Sequence, residues 1–289
     1  MLRTLHRLDA AAESAPETSD GACQLLVRRN SDVANLKGLW TGHEAAKGVH
    51  SDSTRLSVGA DNGTAPAQAP FAAILGCADA RVPPEIVFNL GSNKMFVVRV
   101  AGNGLGQEGL GSLRYAVSHF PATLKLLVVL GHTNCGAVTA AVDAYLYPHK
   151  YIDIATDYSV RGIEDQIFLA VRIAAMSLES LHGGTATKQP GARAALVEAA
   201  VVVNAAWSAY CLRQEFKDTF PDLGVVFGAY DLISGHVRLP LSLPGQLREA
   251  EKGLFVPPKD AAGFRQLALR LCKGQLIRSL MAPERRQAS

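Results

Sequence analysis

The sequence predicts an α/β protein built as a single domain. Its centre is a mostly parallel four-stranded sheet plus an edge strand, flanked by helices, with an N-terminal helical arm and an extra C-terminal helix. Three observations carry this reading. Short continuous apolar runs recur at FAAILG (71–76), MFVVRV (95–100), LKLLVVLG (124–131) and VVFGAYD (225–231). Segments with helical apolar spacing lie among them, and such alternation gives parallel strands joined by right-handed crossovers. No internal repeat or low-complexity tract breaks the pattern.

Taken in order, residues 1–66 are mixed and polar and form the arm. Within it CQLLVRRNSDVANL (23–36) has helical spacing, and 51–70 reads as a loop from its Gly, Pro, Asn, Asp and Ser. Residues 67–240 form the α/β core. Its strands do not alternate polar with apolar, so both faces are buried. LGSLRYAVSHF (110–120) and CGAVTAAVDAYL (135–146) are helices beside the second and third strands. IEDQIFLAVRIAAMSLESL (163–181) and RAALVEAAVVVNAAWSAYCLRQEF (193–216) are long helices separated by the loop 182–192. HVRLPL (236–241) is expected to pair with the fourth strand as a hairpin. Residues 241–289 form an extension with one amphipathic helix at 264–280. That helix either covers its own domain, packs on a partner subunit or docks the protein to something else. RRQAS at the end reads as a solvated tail.

Composition narrows the function classes. With 48% apolar and 19% charged residues in 289, the chain is not a disordered one. Twenty-nine Lys and Arg against 26 Asp and Glu leave only +3, with no dense basic stripe, so nucleic acid is not an expected partner. No run reaches the ~18 uninterrupted apolar residues of a membrane span. The five cysteines are odd in number and widely spaced, which speaks against a disulfide framework and for a reducing compartment. Cytoplasmic placement is the expectation. Arg3 and Arg7, ahead of the first acid, leave an organelle presequence open, and a microcompartment is the other alternative. Asn62-Gly63-Thr64 matches a glycosylation acceptor, but in such a compartment it is a turn.

In an open parallel sheet, ligands bind beyond the carboxyl ends of the strands. After the first strand stands Cys77-Ala78-Asp79-Ala80-Arg81. After the third stands Gly131-His132-Thr133-Asn134-Cys135-Gly136. Adjacent strands lie ~4.8 Å apart, so one cation can gather Cys77, His132 and Cys135. Two sulfurs and an imidazole suit Zn2+, and three protein ligands leave a fourth position for water. Asp79 could instead take that position and close the site. Arg81, whose planar fork can hold a carboxylate at two points, would turn Asp79 away from the metal. Catalytic zinc, structural zinc and buried thiols without metal all remain open on spacing alone.

CADARVPPEIVF (77–88), FVVRVAGN (96–103), GSLRYAV (111–117) and VVLGHTNCGAV (128–138) resemble the β-class carbonic anhydrases in order and interval, over roughly residues 23–238. The resemblance implies a zinc cofactor on Cys77, His132 and Cys135. It implies reversible hydration of CO2 to bicarbonate and a proton by zinc hydroxide, oriented by an Asp79–Arg81 dyad. It places Gln68, Phe96, Ala101, Tyr115 and Gly136 around the substrate, with Gln68 commonly serving the neighbouring subunit's site. A homodimer or a multiple of dimers follows. Two departures stand out. Ala80 replaces the usual Ser, and Ile74 occupies the position of a Trp that some members use in a bicarbonate switch, so no such switch is expected. Two alternatives remain: a hydrolase of carbonyl sulfide or carbon disulfide with the same ligands, and a zinc-stabilised, catalytically silent scaffold or sensor.

Overall fold

A computed structural model describes residues 14–39, 67–243 and 246–282. The presequence left open by Arg3 and Arg7, the turn at Asn62-Gly63-Thr64, most of the 51–70 loop and the RRQAS tail lie outside the described residues. A long helix, α1 (Ser19–Leu39), covers the expected 23–36.

Five strands form one sheet: β1 (Ala72–Gly76), β2 (Met95–Arg99), β3 (Leu126–His132), β4 (Gly224–Tyr230) and β5 (Val237–Arg238). Their order is β2-β1-β3-β4-β5, parallel except for the last pair. β1 and β3 are buried at every position, as their unbroken apolar runs require. β2 is half-buried because it forms the edge. From β1 the chain crosses to β2 on one side; from β3 it crosses to β4 on the other. The order therefore reverses between β1 and β3, and their carboxyl ends are the switch point at which open α/β sheets bind ligands.

The helices are α2 (Pro84–Val87), α3 (Gln107–His119), α4 (Gly136–Leu146), α5 (Pro148–Ile154), α6 (Tyr158–His182), α7 (Ala192–Phe216), α8 (Ala261–Cys272) and α9 (Gln275–Met281). The short α2 and α5 were not legible as helices. Each begins on a proline, whose fixed φ suits a first turn, but neither is long enough for apolar periodicity to register. Asp157 caps α6 by accepting the N–H groups of Ser159 and Val160, both at 3.1 Å. By length and composition α7 is apolar enough to cross a membrane, but 78% of its most apolar window is buried. Its neighbours are β3, β4 and α6, which makes it a core helix.

The C-terminal part corrects two expectations. Residues 264–280 are two helices, broken at Lys273-Gly274. A Cβ at Gly274 would sit 2.9 Å from the carbonyl oxygen of Leu241, and Leu276 N–H donates to that same carbonyl at 3.0 Å. The chain bends there to keep this contact. Phe264, Ala268, Leu271 and Cys272 of α8 and Ile277 of α9 are buried against α6 and α7, so the extension covers its own domain. The expected 236–241 hairpin shrinks to Val237–Arg238. The N–H of Leu239 already donates to Glu251, and Gly253 N–H donates back to Val237, so the extension, not β4, pairs with the outer side of this turn.

Candidate metal centre

The β1–β3 register sets the site. Gly76 pairs with Leu130, so Cys77 and Ala78 leave β1 beside Gly131 and His132, the last two residues of β3. Cys135 follows at the N-cap of α4. The ligating atoms of Cys77, His132 and Cys135 all lie within 4.8 Å of one another, and all three residues are buried. Asn134 makes the tight return between them with φ 55°, in the left-handed region that Asn tolerates.

The cluster fits zinc on three counts. The sulfurs are 3.9 Å apart. Two zinc–sulfur bonds of 2.3 Å at the tetrahedral angle would separate them by about 3.8 Å. His132 Nδ1 donates to the Thr133 carbonyl at 3.0 Å, which leaves Nε2 as the lone-pair nitrogen. That Nε2 is buried and has no hydrogen-bond partner, a costly state for a polar atom unless a ligand takes it. Among the described residues this is the one group of three or more His, Cys, Asp or Glu able to share an ion.

The thiols sit in an environment that favours negative charge on Cys77. The hydrogen bond from Cys135 and the proximity of His132 push the Cys77 thiol down, while Cys77 and burial push Cys135 up. Backbone N–H groups of Asp79 (3.5 Å) and Gly102 (3.3 Å) also point at Cys77 Sγ. Gly102 opens the way for this contact. Its φ is 62°, and a Cβ there would collide with Ile167 at 2.8 Å.

Asp79 and Arg81 form the expected pair. Asp79 Oδ1 accepts from the Arg81 backbone N–H and Nε, both at 2.9 Å, and Oδ2 accepts from Nη2 at 2.6 Å. Arg81 thereby holds the Asp79 carboxyl well below the usual carboxylate range. Asp79 Oδ2 stands 3.9 Å from His132 Nε2, so the carboxylate borders the triad while both its oxygens face the guanidinium.

The five pocket residues divide. Ala101 begins the turn whose Gly102 caps Cys77, and Gly136 directly follows Cys135 with nothing within 4 Å of where its Cβ would be. Gln68, Phe96 and Tyr115 are not brought to the triad. Gln68 is exposed and precedes the opposite end of β1. Phe96 pairs with Ala73, three residues before the Arg99–Gly76 pair, or about 10 Å back along the strand. Tyr115 is half exposed, stacks on His119 at 3.9 Å and lies 6.4 Å from Phe96. Ile74 is fully buried in the middle of β1.

The sequence reading missed Arg99, which donates to the carbonyls of Cys77 and Asp79 and ties β2 to the ligand loop. It also missed Asn204, which donates to the Gly102 carbonyl at 2.8 Å. The available signal was a lone polar residue in each of two apolar runs, MFVVRV and VVVNAA.

A family model described as carbonic anhydrase matches residues 72–236, more than half of the chain and inclusive of the triad and the dyad. Carbonic anhydrase 2 of Mycobacterium tuberculosis (strain ATCC 25618 / H37Rv) is 45% identical over 112 residues, covering 39% of this chain and 53% of that protein. Carbonic anhydrase of Mycolicibacterium smegmatis is 49% identical over 78 residues, covering 27% and 37%. The chain thus spans about half the length of the first of these relatives and less of the second. Among solved structures, the Coccomyxa β-carbonic anhydrase in complex with acetazolamide is similar at 25% identity, covering 72% of this chain and 84% of that one, with a TM-score of 0.45.

Proposed function

The chain belongs to the β-class carbonic anhydrase family, and on that premise we propose that it catalyses the reversible hydration of CO2 to bicarbonate and a proton. The observation that carries this is the convergence of Cys77, His132 and Cys135 beside a carboxylate that Arg81 holds in place. Zinc on those three residues supplies the Lewis acidity that makes water a nucleophile near neutral pH.

The chain's own residues supply the rest. Arg81 keeps Asp79 ionised and its oxygens turned to the guanidinium, so that Asp79 serves as a hydrogen-bond acceptor beside the triad and not as a fourth ligand. Accepting a hydrogen bond from the reacting water orients the water's lone pair towards the carbon of CO2. Ala101 offers a small apolar wall, and the backbone amide of Gly136, open to approach, donates to a substrate oxygen. Gln68, Phe96 and Tyr115 serve the site of a second copy in a homodimer or a multiple of it. Gln68 and Tyr115 are exposed, which supports that placement, while Phe96 is half-buried beside Tyr115. The odd number and wide spacing of the five cysteines support a reducing, cytoplasmic setting.

The test is stopped-flow CO2 hydration against pH, with zinc content measured on the same sample. Activity proportional to bound zinc and rising on the alkaline side is expected, since two thiolates leave the water less acidic than imidazoles would. A zinc-loaded chain inert to CO2 would overturn the proposal. In that case turnover of carbonyl sulfide would point to the hydrolase, and its absence to a silent scaffold.

A further inference from the structure

Between Ala194 and Trp207 the helix α7 carries only two polar side chains, Glu198 and Asn204. Asn204 braces the Gly102 turn behind Cys77, as described above. Glu198 reaches the other ligand loop, and the packing shows why. Gly131, near the end of β3, lets α7 lie close: a Cβ there would be 3.3 Å from the Val201 carbonyl oxygen and 3.4 Å from the Ala205 Cβ. Glu198, Val201 and Ala205 share one helix face by i, i+3, i+7 spacing. Glu198 therefore projects one turn beyond the strand, onto the loop from His132 to Cys135.

There Glu198 Oε1 accepts the backbone N–H of Asn134 at 3.3 Å. The carbonyl of the same Asn134 accepts from Arg81 Nη2 at 3.4 Å. The left-handed residue between two ligands is thus gripped from the helix on one side and from the dyad on the other. Glu198 Oε2 is buried and has no hydrogen-bond partner among the described residues, and burial pushes the carboxyl up. A carboxyl with an unsatisfied buried oxygen costs stability, so packing alone does not account for it.

We infer that Glu198 is a positioning residue of the metal centre: its Oε1 fixes Asn134 and, through Asn134, the spacing of His132 and Cys135. The inference rests on the zinc reading of the triad. Its test compares the wild-type chain with Glu198→Ala and Glu198→Gln, each loaded with zinc. Zinc retention is read by competition with a chromogenic chelator, and thermal unfolding of the chelator-stripped chains is read alongside. Glu198→Ala is expected to hold zinc about tenfold more weakly, with the stripped chain unfolding no earlier than wild type. Glu198→Gln keeps an acceptor oxygen and is expected within about twofold of wild type. Undiminished retention in Glu198→Ala would overturn the inference. So would equal losses in both variants, or a loss matched by early unfolding of the stripped chain. A wild-type chain that takes up no zinc would instead overturn the zinc reading on which the inference stands.

Discussion

At the β4–β5 edge, Arg238 is 2% exposed, and its guanidinium meets Asp231 at 2.8 Å and Glu251 at 3.5 Å. Ser242 donates its hydroxyl and its backbone N–H to the two oxygens of Glu251, and Asp231 also accepts from Ser234 and from the Ile233 backbone. At the β1–β3 end, His132 is just as buried, yet its Nε2 has no partner. The same sheet thus carries one polar cluster that closes on itself and one that does not. Burying charge is tolerable when every lone pair and proton is matched. The first cluster meets that condition with protein atoms and anchors the C-terminal extension to the sheet edge. The second meets it only with a ligand, and so marks the functional site.

The contrast can be broken most severely at the ligands. Cys77→Ala should abolish zinc uptake and CO2 hydration together, and metal analysis returning one zinc per chain would contradict the ligand assignment. Next comes the closed cluster. Arg238→Ala should cost about 3–5 kcal/mol in urea unfolding, because it strands Asp231 and Glu251 in the interior. Zinc per folded molecule should stay at the wild-type value, and a loss below about 1 kcal/mol would show that the network does not anchor the extension. Asp79→Asn should do the reverse. Half of the Arg81 side chain is exposed, so stability should change little. Hydration should fall about 100-fold with zinc retained. Near-normal turnover would remove Asp79 from the mechanism.

The smallest expected effect lies at His236. His236, beside the closed cluster, is buried with neither ring nitrogen partnered. Burial holds its imidazole below the ordinary value, with Lys252 and Arg238 adding to the fall and Asp231 opposing it. The unfolded chain therefore binds this proton at higher pH than the folded one. The contribution of His236 to stability should be complete above about pH 6.5 and fall as pH drops below that value towards the folded pKa. His236→Phe should flatten this part of the stability-against-pH curve. An unaltered acid slope would assign the decline to other groups.

Much of this was legible in the residues. FAAILG and LKLLVVLG read as buried strands from their short apolar runs, and the C-x-D-x-R and H-x-x-C spacings offered a metal's donors without deciding whether a metal was held. The break at Gly274 was half-legible, since Lys-Gly is a helix stop, but the apolar spacing runs through it. Glu198, Arg99 and Asn204 were not legible, because a lone polar residue in an apolar run acquires meaning only from what faces it.

By itself the sequence determined the strands and which donor residues stand at their ends, because apolar runs and short spacings depend on neighbours a few residues away. The tertiary structure alone decided which strand ends meet, where the extension folds back and which helix side chain grips the ligand loop. Those outcomes depend on approaches between distant segments, such as the Leu241 carbonyl against Gly274 and α7 against Gly131, and local spacing carries no record of them.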